Sequence, residues 1–173
     1  TVGHVSKLSV LAPDRLGTIA TRMADTGVAL TVLPSTDLFL MGGEGHTNIP
    51  RGVAPLHKMH QHGVNCALST NNVLNPFTPF GDCSMIRMAN LYANIARIGA
   101  TRGHRDCLDF VTGGPARLMR LDDYGIRPGN PADFVVLDCN SAENAVREIA
   151  TPLLGYKNGR RTFTRPAAEL HRP

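Results

Sequence analysis

The chain has 173 residues, 42% hydrophobic, 18% charged and 5% aromatic, a composition that excludes wholesale disorder and describes an ordinary soluble globular domain. No stretch approaches the roughly 20 uncharged apolar residues that span a bilayer, and the opening TVGHVSKLSV lacks the basic-then-apolar layout of a signal peptide, so neither a membrane nor a secretory route is expected. The formal charge of +4 belongs to the tail, where Lys157, Arg160, Arg161, Arg165 and Arg172 outweigh Glu169; with only Tyr156 and Phe163 to stack on bases, it reads as a solvated terminus and no nucleic-acid partner is expected.

A chain that opens on a strand-like TVGHV without an initiator Met reads as one cut out of a longer polypeptide. Residues 1–10 alternate weakly and predict a short strand carrying His4. Asp14 is the expected cap of a helix running to Asp25, with Leu16, Ile19, Ala20 and Met23 at helical spacing and Gly27 as its stop. VALTVLP, residues 28–34, is a β-branched run of the kind a buried parallel strand shows, and residues 35–53 form a long glycine-rich loop. A short helix over 54–62 stops at Gly63, and VNCALST, residues 64–70, predicts a second buried strand. After the loop NNVLNPFTPFG a helix is expected over 82–98, with Met85, Met88, Ala89, Tyr92 and Ile95 on one stripe, then two shorter helices over 105–111 and 115–120. Strands alternating with helices argue for an α/β fold with a parallel sheet and crossover helices. From Tyr124 the texture changes. YGIRPGNPADFVVLD is turn-rich and then strand-like, and Asn158-Gly159 between two short runs signals a hairpin. The expected division is residues 1–125 and residues 126–173, the second a small antiparallel unit.

Ligands of parallel α/β folds bind at the carboxyl ends of strands, which singles out His4, Ser35-Thr36-Asp37 and Ser69-Thr70-Asn71-Asn72. His4 is either a metal or water ligand or a hydrogen-bonded structural histidine. Asp37 and Asn71 either bind substrate or serve the local backbone, as Asp and Asn do at loop starts. His57, His60 and His62 have no fourth ligand and Lys58 beside them, so they read as a solvated helix face. Gly42, Gly43 and Gly45 match no phosphate loop, and neither GxSxG nor HExxH occurs, which leaves nucleotide, serine-hydrolase and zincin chemistry without support. Cys66, Cys83, Cys107 and Cys139 lie far apart with no CxxC pair, as expected of reduced thiols in a cytoplasmic protein.

The order of these segments resembles the C-terminal half of a cytosine deaminase-like enzyme of the amidohydrolase superfamily. The likeness runs through TVGHVSKLS, VALTVLPSTDLFLMG, RGVAPLHKMHQHGVNCALSTNNVLNPFTPFGDCSMIRMANL, DYGIRPGNPADFVVLD and GYKNGRRTF. It implies a partial (β/α)8 TIM-like barrel, strands six to eight, followed by strands of a small β-sandwich domain. It also implies hydrolysis of a non-peptide C–N bond in a small cyclic amide or amino-heterocycle, through water activated by a divalent metal such as zinc or iron. On that resemblance His4 occupies a metal-site position, and Asn71 stands where the family has the eighth-strand aspartate. Asn72 stands where a second carboxylate follows, and Asp37 and Asn72 become substrate-binding groups. The departure at Asn71 matters, because an amide oxygen ligates a hard metal weakly and takes no proton from water. The family's His-x-His pair and fifth-strand histidine would precede Thr1. The chain is therefore expected to need an upstream half, or to self-associate through open strand edges. The alternative is a noncatalytic homologue or structural fragment lacking the catalytic aspartate.

Overall fold

Three short strands, β1 (Val2–Gly3), β2 (Leu30–Val32) and β3 (Cys66–Leu68), pair in parallel in that order, with Val2 opposite Leu30 and Leu30 opposite Cys66. The computed structural model describes residues 1–43 and 45–171; Glu44 of the glycine-rich segment and Arg172 and Pro173 of the tail lie outside the described residues. Leu30, Val32, Cys66 and Leu68 are buried together, which is why these runs carry no polar alternation.

Helix α1 (Pro13–Asp25) crosses from β1 to β2 and buries Leu16 and Ala20. Its cap is not Asp14: Ala12 holds the N-cap position, Pro13 opens the helix, and Asp14 lies in the first turn, where its charge complements the helix dipole. Residues 1–10 are a strand only at Val2–Gly3. The backbone turns left-handed at His4 and Val5 (φ 60 and 40) and continues as a 3-10 helix over Ser6–Val10. The expected loop after β2 opens instead with helix α2 (Pro34–Leu40), whose buried residues are Pro34, Ser35, Thr36 and Asp37. A buried turn made of polar residues gives no hydrophobic periodicity, so the pattern did not reveal it.

Helix α3 (Leu56–Gln61) precedes β3 and presses Leu56 and Met59 into the core. His57 is not on a solvated face. Its backbone N–H and Nδ1 both meet the Tyr92 hydroxyl, at 2.9 and 2.8 Å, and the His60 ring packs edge-on against Phe110. Helix α4 (Met85–Ala96) is capped by Ser84, whose hydroxyl accepts the Arg87 N–H, and buries Met88, Ala89, Tyr92 and Ala93. Helices α5 (Thr101–Asp109) and α6 (Gly113–Leu118) follow. Their junction covers the outer edge of β3: the Leu68 N–H donates to the Phe110 carbonyl at 2.7 Å, and a Cβ on Gly114 would run into the Cys66 carbonyl oxygen.

The C-terminal strands β4 (Phe134–Leu137), β5 (Pro152–Lys157) and β6 (Arg160–Thr164) form an antiparallel sheet in that order. Asn158 and Gly159 turn the hairpin with positive φ (49 and 72), the geometry Asn-Gly favours. Asp133 fastens this turn to β4. It accepts the Asn158 N–H at 2.6 Å and pairs with Lys157, contacts that hold its carboxyl below the usual range. Between β4 and β5 lies α7 (Ala142–Arg147), which its short length hid from the sequence pattern; it packs on α4 and α5 and lends Val146 to the main core.

Candidate active site

The carboxyl ends of β1, β2 and β3 bring His4, Asp37 and Asn71 together. His4 ends β1 in the left-handed region, a state that non-glycine residues adopt sparingly. The turn delivers its Nδ1 to within 2.6 Å of Asp37 Oδ1, across 33 residues of sequence. Asp37 sits on the first turn of α2 with its side chain 4% exposed, and its other oxygen lies 3.4 Å from the Leu33 N–H, which donates to it. A carboxylate gripped in this way accepts the Nδ1 proton of a neutral ring and leaves Nε2 with a free lone pair. The His4 side chain is 49% exposed, so this nitrogen is presented outward. Asn71 Nδ2 lies 3.4 Å from His4 Nε2, the right partner for that lone pair.

Asn71 also has φ 60, a region that Asn tolerates better than most residues. Asn72 is less free. Its Oδ1 accepts from Asn75 Nδ2 at 2.8 Å, while Asn75 Oδ1 accepts the N–H groups of Phe77 and Thr78. That knot pins the NPFTPFG turn, and a 2.5 Å contact between the Thr36 and Thr78 hydroxyls ties it to the buried start of α2. Thr36 belongs to the strand-end stretch singled out in the sequence, whereas Asn75 and Thr78 were not, and only the density of Asn, Thr and Pro there hinted at a structured turn. Phe39 and Phe80 meet edge-on at 5.8 Å beside this turn, both exposed.

The donors also bear on a metal. An imidazole anchored through Nδ1 by a buried carboxylate is the arrangement that orients a metal-ligating histidine. His4 Nε2, and the Asn71 amide oxygen if the amide is turned over, are the two donors that face outward. Both are neutral. Among the described residues no three His, Cys, Asp or Glu side chains gather closely enough to hold a metal ion. The set therefore fits one corner of a metal site and not a whole one.

The amidohydrolase family matches the sequence over residues 2–163. The chain belongs to that family. Among curated amidohydrolase relatives, N-isopropylammelide isopropyl amidohydrolase of Pseudomonas sp. (strain ADP) is 29% identical over 107 residues, covering 61% of this chain and 27% of that protein. Pterin deaminase of Rhizobium rhizogenes (strain K84 / ATCC BAA-868) is 27% identical over 138 residues, covering 79% of this chain and 31% of that protein. The crystal structure of 5-methylcytosine deaminase from Klebsiella pneumoniae liganded with 5-fluorocytosine superposes with a TM-score of 0.92 at 23% identity, over 99% of this chain and 42% of that one. N-isopropylammelide isopropylaminohydrolase from Burkholderia multivorans ATCC 17616 superposes with a TM-score of 0.77 at 26% identity, over 92% of this chain and 37% of that one. The chain spans 27% and 31% of the length of these two curated relatives. Its parallel strands are a segment of the family's (β/α)8 barrel, and its antiparallel strands belong to the small β domain.

Proposed function

We propose that the protein to which this chain contributes is a metal-dependent hydrolase that cleaves a non-peptide C–N bond of a small cyclic amide or amino-heterocycle. The observation that carries the reading is the 2.6 Å bond from His4 Nδ1 to the buried Asp37, which fixes the imidazole with Nε2 outward at the mouth of the strands. His4 would hold a divalent metal, zinc or iron, together with ligands from outside this chain. Such a metal, when bound, supplies polarised water at neutral pH. Asp37 keeps the ring in one tautomer. Asn71 holds the water or substrate by hydrogen bonding and takes no proton, so the proton moves to another group. Asn72, with Oδ1 engaged, offers its Nδ2 hydrogens to a substrate carbonyl or ring nitrogen. On this reading the barrel segment is residues 1–125 and the remainder belongs to the small domain. The partners are the heterocyclic substrate and the rest of the barrel, or another copy of the chain at its open edge, and the setting is the cytoplasm.

A second reading, a homologue that has lost catalysis, is favoured by Asn71 itself, a neutral amide with left-handed φ that serves the local turn. One experiment separates the two. The full-length protein is assayed for bound divalent metal and for turnover of aminopyrimidines and cyclic amides, with and without Asn71→Asp. Turnover by either form, abolished by a chelator, supports the hydrolase. Neither metal nor turnover in both forms overturns it and leaves a fold kept for binding.

A further inference from the structure

The amide of Asn72 has one orientation open to it, and the reason lies three residues further on. The backbone N–H groups of Phe77 and Thr78 can only donate, and both point at one atom of the Asn75 side chain, at 3.0 and 3.1 Å. That atom is therefore the carbonyl oxygen Oδ1, and the other end of the amide is the NH2 group. Asn75 Nδ2 lies 2.8 Å from Asn72, so the Asn72 atom that meets it is an acceptor, Oδ1. What Asn72 has left is its own NH2. Among the described residues Asn72 Nδ2 bonds no other group and is not one of the buried unpaired atoms, so it is open to solvent beside Asn71.

The turn that carries Asn75 is itself held in place. Asn75 and Thr78 exchange backbone hydrogen bonds, each of 3.1 Å. The Thr78 hydroxyl donates to the Phe77 carbonyl at 2.8 Å, which leaves its oxygen to accept from the Thr36 hydroxyl on α2. Thr36 and Thr78 are both buried, so the direction of the bonds is fixed from the inside outward. Turning Asn72 over would set NH2 against NH2. Turning Asn75 over as well would set an NH2 against two N–H groups, and donors left facing donors are destabilising.

We propose that Asn75 is a positioning residue that makes Asn72 a hydrogen-bond donor only, so that the mouth of the strands selects a ring presenting an acceptor there. This rests on the reading of the mouth as the place where a heterocycle binds, and it gives that reading a direction. A ring with a carbonyl oxygen or an unprotonated nitrogen toward Asn72 is favoured over one with an amino group in the same place.

The test compares uracil, cytosine and isocytosine on the full-length protein. These rings exchange carbonyl for amino group at one position or the other, so one exchange falls opposite Asn72 whichever exocyclic group faces it. Affinity is read by calorimetry, or as kcat/KM for a ring that is turned over. Uracil should be preferred about tenfold over the ring whose amino group takes that place, the scale of one hydrogen bond. In Asn75→Asp the carboxylate still accepts both backbone N–H groups, while its second oxygen needs a donor from Asn72. The Asn72 amide then turns over, shows its Oδ1, and the preference inverts. Asn72→Asp should invert it from the other end, because Asn75 Nδ2 holds one carboxylate oxygen and the other faces outward; this variant decides if Asn75→Asp loses the parent melting temperature. A residue that only supports the turn would change all three affinities together and leave their ratios alone. Ratios that survive both variants overturn the proposal and leave the hydrolase reading standing. Inverted ratios without turnover support it and count against hydrolysis, whereas failure of all three rings to bind overturns it.

Discussion

At His4 and Val5 two successive non-glycine residues hold positive φ, and the second is β-branched, a conformation that costs about 1–3 kcal/mol. The strain falls where the chain must leave β1 and still return the His4 ring to Asp37. On the proposed hydrolase reading, Asp37→Asn should therefore lower turnover by the full-length protein roughly 10- to 100-fold with little change in melting temperature, as loss of a group that orients a metal ligand does. His57 behaves differently. Burial, then the nearby Lys58 charge, lowers its pKa from the ordinary 6.5, so the fold prefers the neutral ring that accepts the Tyr92 hydroxyl proton. The unfolded chain then takes up the proton first as pH falls. The stability His57 provides is present above pH 6.5 and lost through the lowered value, and His57→Gln should flatten that part of a melting-temperature profile. Thiols report the same contrast between inside and outside. Burial pushes Cys66 and Cys107 up to about 12, whereas Cys83 is exposed, so a thiol reagent should modify Cys83 at once and the other two only on unfolding. In the sequence His4, Asp37 and Asn71 could be singled out one by one as residues at strand ends. Their pairing could not, because contacts across 33 and 67 residues leave no local trace.

Among the elements, those read well were the ones whose burial follows a simple period. Helices α1 and α4 show their apolar stripes, β2 and β3 their unbroken runs, and the Asn158-Gly159 turn its backbone preference. Those missed were governed by something else. Helix α2 buries Ser, Thr and Asp because they serve the strand mouth, and α7 shows one short apolar turn that only its packing on α4 and α5 stabilises. Closeness of approach was equally invisible. Gly114 lies so near the Cys66 carbonyl that Gly114→Ala must push α6 away from β3, and a loss of about 1–3 kcal/mol is expected in chemical denaturation. Gly43→Ala is the control: a Cβ there meets nothing within 4 Å, and stability should stay unchanged.

For the whole molecule, the alternation of strands and helices announced a parallel α/β sheet, and the ordered motifs carried the resemblance to one family. How much of a site the chain holds was less legible, since a donor set is complete or not only in space. Among the described residues no helix is long and apolar enough to cross a membrane. Among the described residues the parallel sheet nevertheless presents an unpaired edge at β1, and the antiparallel sheet exposes Val135, Val136 and Phe163. Expressed by itself, residues 1–173 should associate through these surfaces, visible as concentration-dependent sedimentation; a monodisperse monomer with a sharp melt would contradict this.

The two flanks of the parallel sheet are unlike. Phe110 already occupies the Leu68 N–H and Gly114 crowds the Cys66 carbonyl, so a backbone ladder can grow past β1 but is stopped at β3. For anyone dividing such a barrel into two complementing pieces, the joint along β3 is a matter of side chains fitting together. The joint along β1 has a register to find, and reassembly should be governed by that one seam.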